Sequence, residues 1–241
     1  MVNRDPHGPD ADTRNHAQRT SLESRIEAEI DELENYARRV PRALFFGALV
    51  LIGFLLTVAS MVMHIAPWWM SAGLFAVLVA LLAAAIWQEH DVWARRLALT
   101  TISVLTLFLV VSIVYLVHAL FHRNESAIAL FRDALLLWVT NIFVFSVWYW
   151  EIDRGGPLKR HRGEPEKPDL LFPQMVVEVP EWNGWQPTFV DYLYLAFNTN
   201  TAFSPTDTAV LSRRMKLLMM TQSVLALVVV AVVAGRAINI G

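Results

Sequence analysis

Five stretches of this chain run without a charged residue for about the length a helix needs to cross a bilayer, and they restrict the folds open to it. They are Ala43 to His64, Pro67 to Gln88, Leu97 to Phe121, Ala134 to Trp150 and Leu217 to Gly235. Roughly 20 apolar residues in a helix cover the hydrocarbon core. The fourth stretch is the shortest, and its helix is expected to extend back through Arg132 and Asp133 toward Ser126. Only 17% of the residues are charged, against about 25% in a soluble domain, and the deficit falls in these runs. Trp68, Trp69, Trp87, Trp93, Trp148 and Trp150 stand near their ends, where an indole keeps its N–H wet and its ring in lipid. The expected class is an all-α integral membrane protein with five transmembrane helices and a re-entrant half-helix hairpin before the last.

Lysine and arginine set the orientation. With the N-terminus inside, seventeen basic residues fall on inner segments and three on outer ones, namely Arg123, Arg132 and Arg236. Without the long N-terminal tail the ratio is still ten to three. Inner loops are the ones that hold positive charge, so a multi-pass protein of the cell membrane with a cytoplasmic N-terminus is expected. A mostly polar stretch of some forty residues precedes the first apolar run, which should act as a retained signal-anchor. The chain has no cysteine, which excludes disulfides, thiolate metal sites and cysteine nucleophiles. Its net charge of -2 gives no basic surface for nucleic acid.

Residues 1–20 are too polar to build a core and read as a disordered tail. Residues 21–42 read as a cytoplasmic amphipathic helix. Thr20 and Glu23 have capping-box spacing, and Arg38 and Arg39 stand at the end where the helix dipole favours cations. Residues 43–150 hold the first four spans. In the second, Ala72, Ala76, Ala80 and Ala84 form a stripe of small residues. Such a stripe lets backbones approach closely, more often within a subunit than between subunits. Residues 151–187 hold six of the eleven prolines and read as a cytoplasmic linker.

Residues 188–241 carry the functional signal. Thr188 and Asp191 have capping-box spacing, which predicts a helix from Phe189 to about Asn198, half a bilayer long. Asn198, Thr199, Asn200 and Thr201 then offer polar groups that compete for the backbone and should break it. Ser204, Pro205, Thr206 and Asp207 read as the capped start of a new helix running into the last span. A half-helix, a polar turn and a full span make the layout of a pore loop.

On these residues, Val190 to Ile240 resembles the pore helix, filter loop and inner helix of two-span potassium channels. YLAFNTNTAFSPTD stands where that family has a threonine-rich filter ending in aspartate. The stretch resembles more closely a family of bacterial predicted membrane proteins of unknown function, through Asp191-Tyr192-Leu193-Tyr194, Phe197, Ser204, Asp207 and Arg213-Arg214. The channel resemblance implies a homo-oligomer that passes monovalent cations. The pore-loop candidates are then Asp191, Asn198, Thr199, Asn200, Thr201, Phe203, Ser204 and Asp207. Two features depart from the potassium pattern. No glycine lies between Gly184 and Gly235, although a stack of filter carbonyls needs left-handed residues. The charge bias also puts this loop on the cytoplasmic side, opposite to the potassium module.

Each of these residues also has a plainer role. Asp191 and Asp207 serve as helix caps before they serve as cation sites, and Phe203 packs before it constricts. Arg213, Arg214 and Lys216 suit anchoring near anionic headgroups. Asn141, alone in span four, suits interhelical bonding. His118 and His122 have i, i+4 spacing with Glu125 one turn on, a weak metal candidate of two ligands and a third. No cofactor motif and no set of acid, base and nucleophile is present, so an enzyme is not expected. Three functions stay open: a pore-loop channel without strong potassium selectivity, a non-conducting structural or partner-binding membrane protein, and a small-solute transporter.

Overall fold

A computed structural model describes residues 47–63, 67–87, 91–122, 126–161, 166–202 and 207–238. The expected tail and helix of residues 1–42 lie outside the described residues. The chain divides into Met1–Ala43 and Leu44–Gly241, and all described residues belong to the second unit.

The described residues form seven α-helices: α1 (Gly47–Met63), α2 (Trp68–Trp87), α3 (Asp91–His122), α4 (Ala127–Ile152), α5 (Pro157–His161), α6 (Phe189–Ala202) and α7 (Arg213–Ile238). Among the described residues, three segments are long and apolar enough to cross a membrane: Val92–Phe121, Ala127–Gly155 and Arg213–Arg236. Gly47–Met63 and Trp69–Leu81 are apolar but shorter. The protein is thus helical, with the apolar stretches folded as helices.

The helices α1 and α3 each bury one stripe. In α1 the stripe is Leu49, Ile52, Leu56, Ala59 and Met63, and in α3 it is Ala98, Ile102, Leu105, Leu109, Leu116 and Ala119. The spacing of three and four residues keeps these side chains on one helix face. The helix α4 is central, packed against α3, α6 and α7. Its buried residues run almost without a gap from Thr140 to Val147. Ser126 caps it, its hydroxyl accepting from the Ala129 amide at 3.2 Å, so the fourth span reaches back to Ser126 as its sequence implies. Trp148 donates its indole N–H to Thr106 at 2.8 Å and ties α4 to α3. On α1, Gly53 seats the Phe75 ring of α2, since a Cβ there would collide with it.

The alanine stripe of α2 does not pack inside the chain: Ala76, Ala80 and Ala84 are exposed. This overturns the expectation of internal packing. The bulkier Phe75 turns toward the core instead.

Residues 151–187 are no open linker. A 3-10 turn at Asp153–Gly155 and the short α5 follow α4. The strand β1 (Leu170–Leu171) then pairs antiparallel with β2 (Ala209–Val210), with Leu170 opposite Val210. Leu170 and Phe172 are buried, and the Phe172 ring meets Tyr192 edge-on at 5.5 Å.

Candidate functional site

The end of α4 carries a dense polar network. Asp153 is fully buried, and its Oδ1 accepts the backbone N–H groups of Asp169 and Leu170 at 2.9 and 3.1 Å. Its Oδ2 accepts the Tyr192 hydroxyl of α6 at 2.7 Å. Arg160 on α5 donates to the backbone carbonyls of Trp150 and Asp153 at 2.9 and 2.6 Å, so it satisfies acceptors that a helix end leaves open. Its guanidinium stacks 4.7 Å over the Trp150 ring, an attraction to the negative ring face. Arg95 of α3 donates to the Gly155 carbonyl.

A second carboxylate closes this network onto the last helix. Arg214 grips Asp169 with a two-point fork, Nε to Oδ1 at 2.7 Å and Nη2 to Oδ2 at 2.6 Å. Planar bidentate pairing of this kind is strong and directional. Glu166 lies 3.8 Å from Arg214 and bonds Lys159 at 2.6 Å. Burial pushes the Asp169 carboxyl up, but the hydrogen bonds from Arg214 and Ser212, the Arg214 charge and the Arg154 amide outweigh it and hold it below the ordinary aspartate range. The Lys159 hydrogen bond holds Glu166 low in the same way.

Farther into the bundle a neutral polar belt joins α4, α6 and α7. Asn141 donates to Asn200 Oδ1 at 2.8 Å and to the Gln222 carbonyl at 3.3 Å. Asn200 donates to the Trp138 carbonyl at 3.3 Å. Tyr149 donates to Gln222 Oε1, and Gln222 donates to the Ala196 carbonyl at 2.8 Å. Asn141, Asn200 and Gln222 are all buried, so each bond is made where an unmade one is costly.

The helix α6 starts and ends at different depths along α4. At its start, Phe189 and Tyr192 meet Trp150 edge-on at 5.9 and 5.6 Å. Near its end, Phe197 meets Trp138 at 6.2 Å and Asn200 meets Asn141. After residues 203–208, the chain is back at β2, paired with the strand that the Asp153 carboxylate holds.

The anticipated residues divide accordingly. Asp191 reaches back to the Thr188 amide at 2.7 Å and accepts its hydroxyl at 2.8 Å, half of the anticipated capping box. Asn198, Thr199, Asn200 and Thr201 do not break α6, which runs on to Ala202. Asn198, Thr199 and Thr201 each donate to a carbonyl four residues back, at 2.8, 2.8 and 2.9 Å. Their polar groups are satisfied inside the helix, so nothing competes with it. Asp207 is exposed in a turn and is not the third residue of a helix. The last helix begins at Arg213, with Ser212 accepting from the Met215 amide at 3.2 Å, because residues 209–210 are taken up by β2. Phe203 and Ser204 lie outside the described residues. Arg214 is the partner of Asp169 rather than a free headgroup anchor. His118 is exposed, the side chain of His122 lies outside what is described, and no group of three metal-ligating side chains gathers among the described residues.

Asp153, Arg160, Asp169, Tyr149 and Gln222 are central to these networks, yet sequence reasoning passed over them. The one available signal was the charge density around a proline-rich stretch that also carries Leu170, Leu171 and Phe172. No protein-family model, curated protein or solved structure matches this chain.

Proposed function

We propose that this protein is an oligomeric membrane channel of five spans in which residues 188–207 form a re-entrant hairpin lining a cation path. The observation that carries this reading is the course of α6. The helix is about 21 Å long, too short for the roughly 30 Å core. It begins beside Trp150 and Asp153 and ends about 18 Å farther along α4 beside Trp138 and Asn141. The chain regains β2 after residues 203–208, and seven extended steps reach about 24 Å. A half-helix going in and a short return to the same end is the pore-loop layout. The basic residues Arg95, Arg154, Lys159, Arg160 and Arg214 gather at that end, which supports a cytoplasmic mouth.

A shared pore also needs a face free for neighbouring copies. Val190, Tyr194 and Phe197 lie on one side of α6 and are 57%, 57% and 47% exposed, with Thr201 exposed on the same stripe. In an oligomer this face meets its counterparts around the axis. Mass measurement of the purified protein, followed by planar-bilayer recording, tests the reading. An oligomer of three or more subunits with unitary cation currents is expected, and a monomer sinks it.

One observation favours the non-conducting alternative. Asn200 and Thr199 turn into the protomer, and Asn200 is bonded to Asn141 and Trp138, which suits a structural plug. An intact oligomer without current would favour it.

A further inference from the structure

Beside the charged end lies a cavity of about 640 Å³ walled by Arg154, Gln174, Met175, Glu178, Trp182 and Trp185. The networks described above touch it only through the Arg154 backbone. Arg154 stands out among its lining residues. Its backbone is left-handed, with φ 53° and ψ 28°, and it is the one non-glycine residue with positive φ among the described residues. A side chain there meets steric cost that glycine avoids. The chain nevertheless places glycine at the next two positions and arginine at this one. The backbone conformation is held from both sides, since the Glu166 amide donates to the Arg154 carbonyl at 3.1 Å and the Arg154 amide bonds Asp169.

The side chain has poor partners for a guanidinium. Its Nη2 donates to the thioether sulfur of Met175 at 2.9 Å, a weak acceptor. Its Nε is buried without a hydrogen-bond partner, and so is the Oε1 of Gln174 on the same wall. Buried polar groups are normally paired. Here the residues that carry an unpaired cationic donor and an unpaired acceptor line one cavity with two indoles. Strained residues that keep unpaired groups concentrate at ligand sites.

We infer that this cavity binds a small organic monoanion with a flat apolar body, the negative group on Arg154 and the body against Trp182 and Trp185. A guanidinium prefers planar oxyanions such as carboxylates, which it grips with two parallel N–H groups. The Glu178 carboxylate on the same wall disfavours a second negative charge, and the indoles supply stacking area. The site is independent of whether the protein conducts, because binding is read without a current.

Benzoate is the probe, titrated into the full-length protein in detergent and followed by calorimetry and by unfolding temperature. Benzamide has the same shape without charge, and acetate has the charge without the ring. Benzoate should bind saturably, with each analogue weaker on the order of tenfold or more, as expected for loss of a charged hydrogen bond or of a stacked ring. Arg154→Gly removes the cation and suits the left-handed backbone, so it should fold with an unchanged or higher unfolding temperature and lose benzoate binding. Trp185→Leu should weaken benzoate and leave acetate as it was. Equal binding of benzoate and benzamide, or undiminished benzoate binding by Arg154→Gly, overturns the assignment. So does the absence of saturation in the native protein.

Discussion

Asp169 and Arg214 are 45 residues apart in sequence, and their pair ties the start of the last helix to the strand that the Asp153 carboxylate holds. The Asp169 side chain is almost wholly buried, whereas that of Arg214 is about half exposed, at 2% and 48%. Solvent therefore screens part of the attraction, and a net worth of about 1–3 kcal/mol is reasonable for a hydrogen-bonded charge pair of this kind. Asp169→Asn should lower the unfolding temperature in detergent, while Asp207→Asn, at an exposed turn, should not. The pH dependence has a definite sign. The carboxyl of Asp169 is held below its unfolded value, so its contribution is complete above about pH 4. It fades as pH falls through the lower folded value, because the proton must be driven onto a paired carboxylate. The native protein should lose stability in that acid window, and the difference between it and Asp169→Asn should shrink there. A constant difference between pH 6 and pH 2 would show that the pair does not titrate as described.

Among the elements, α6 shows most clearly what local sequence carries. Its start was legible because the Thr188 and Asp191 spacing is a local rule, satisfied by contacts three residues apart. The backward extension of α4 to Ser126 was legible for the same reason. The end of α6 was not, since Asn198, Thr199 and Thr201 can either break a helix or bond to its preceding turn. Burial of Thr199 and Asn200, with Asn200 bonded to Asn141 and Trp138 of α4, decides the choice. The start of α7 is not legible from local sequence, because the pairing of Ala209–Val210 with Leu170–Leu171 is a long-range event that no capping pattern announces. The roles of Asp153 and Arg160 are not legible either, because a proline-rich charged stretch resembles a linker until its partners are known. The course of α6 yields a test of its own. Reporters fused after Gly184 and after Ser212 should report the same side of the membrane. Opposite sides would mean that residues 188–207 cross it.

The whole molecule bears on which ions such a hairpin would pass. Strong potassium selectivity rests on a stack of backbone carbonyls that replaces the hydration shell, and that stack draws on left-handed residues, which glycine supplies most cheaply. This chain has no glycine between Gly184 and Gly235, and α6 remains helical to Ala202, so its carbonyls up to the last turn are engaged along the helix. Asn200 is drawn away from any path by Asn141 and Trp138. The polar groups left to face a path are then side chains, with Thr201 and Asp207 exposed and Asn198 half-buried. A ring of hydroxyls and amides with a carboxylate nearby attracts cations over anions but sets no fixed cage for a dehydrated potassium ion. Channels in planar bilayers should therefore reverse near the cation equilibrium potential in a salt gradient, with potassium and sodium permeability within a few-fold of each other. Asp207→Asn should reduce cation over anion preference without sharpening the choice between the two cations. A reversal potential that follows potassium alone would mean that a carbonyl filter forms without glycine.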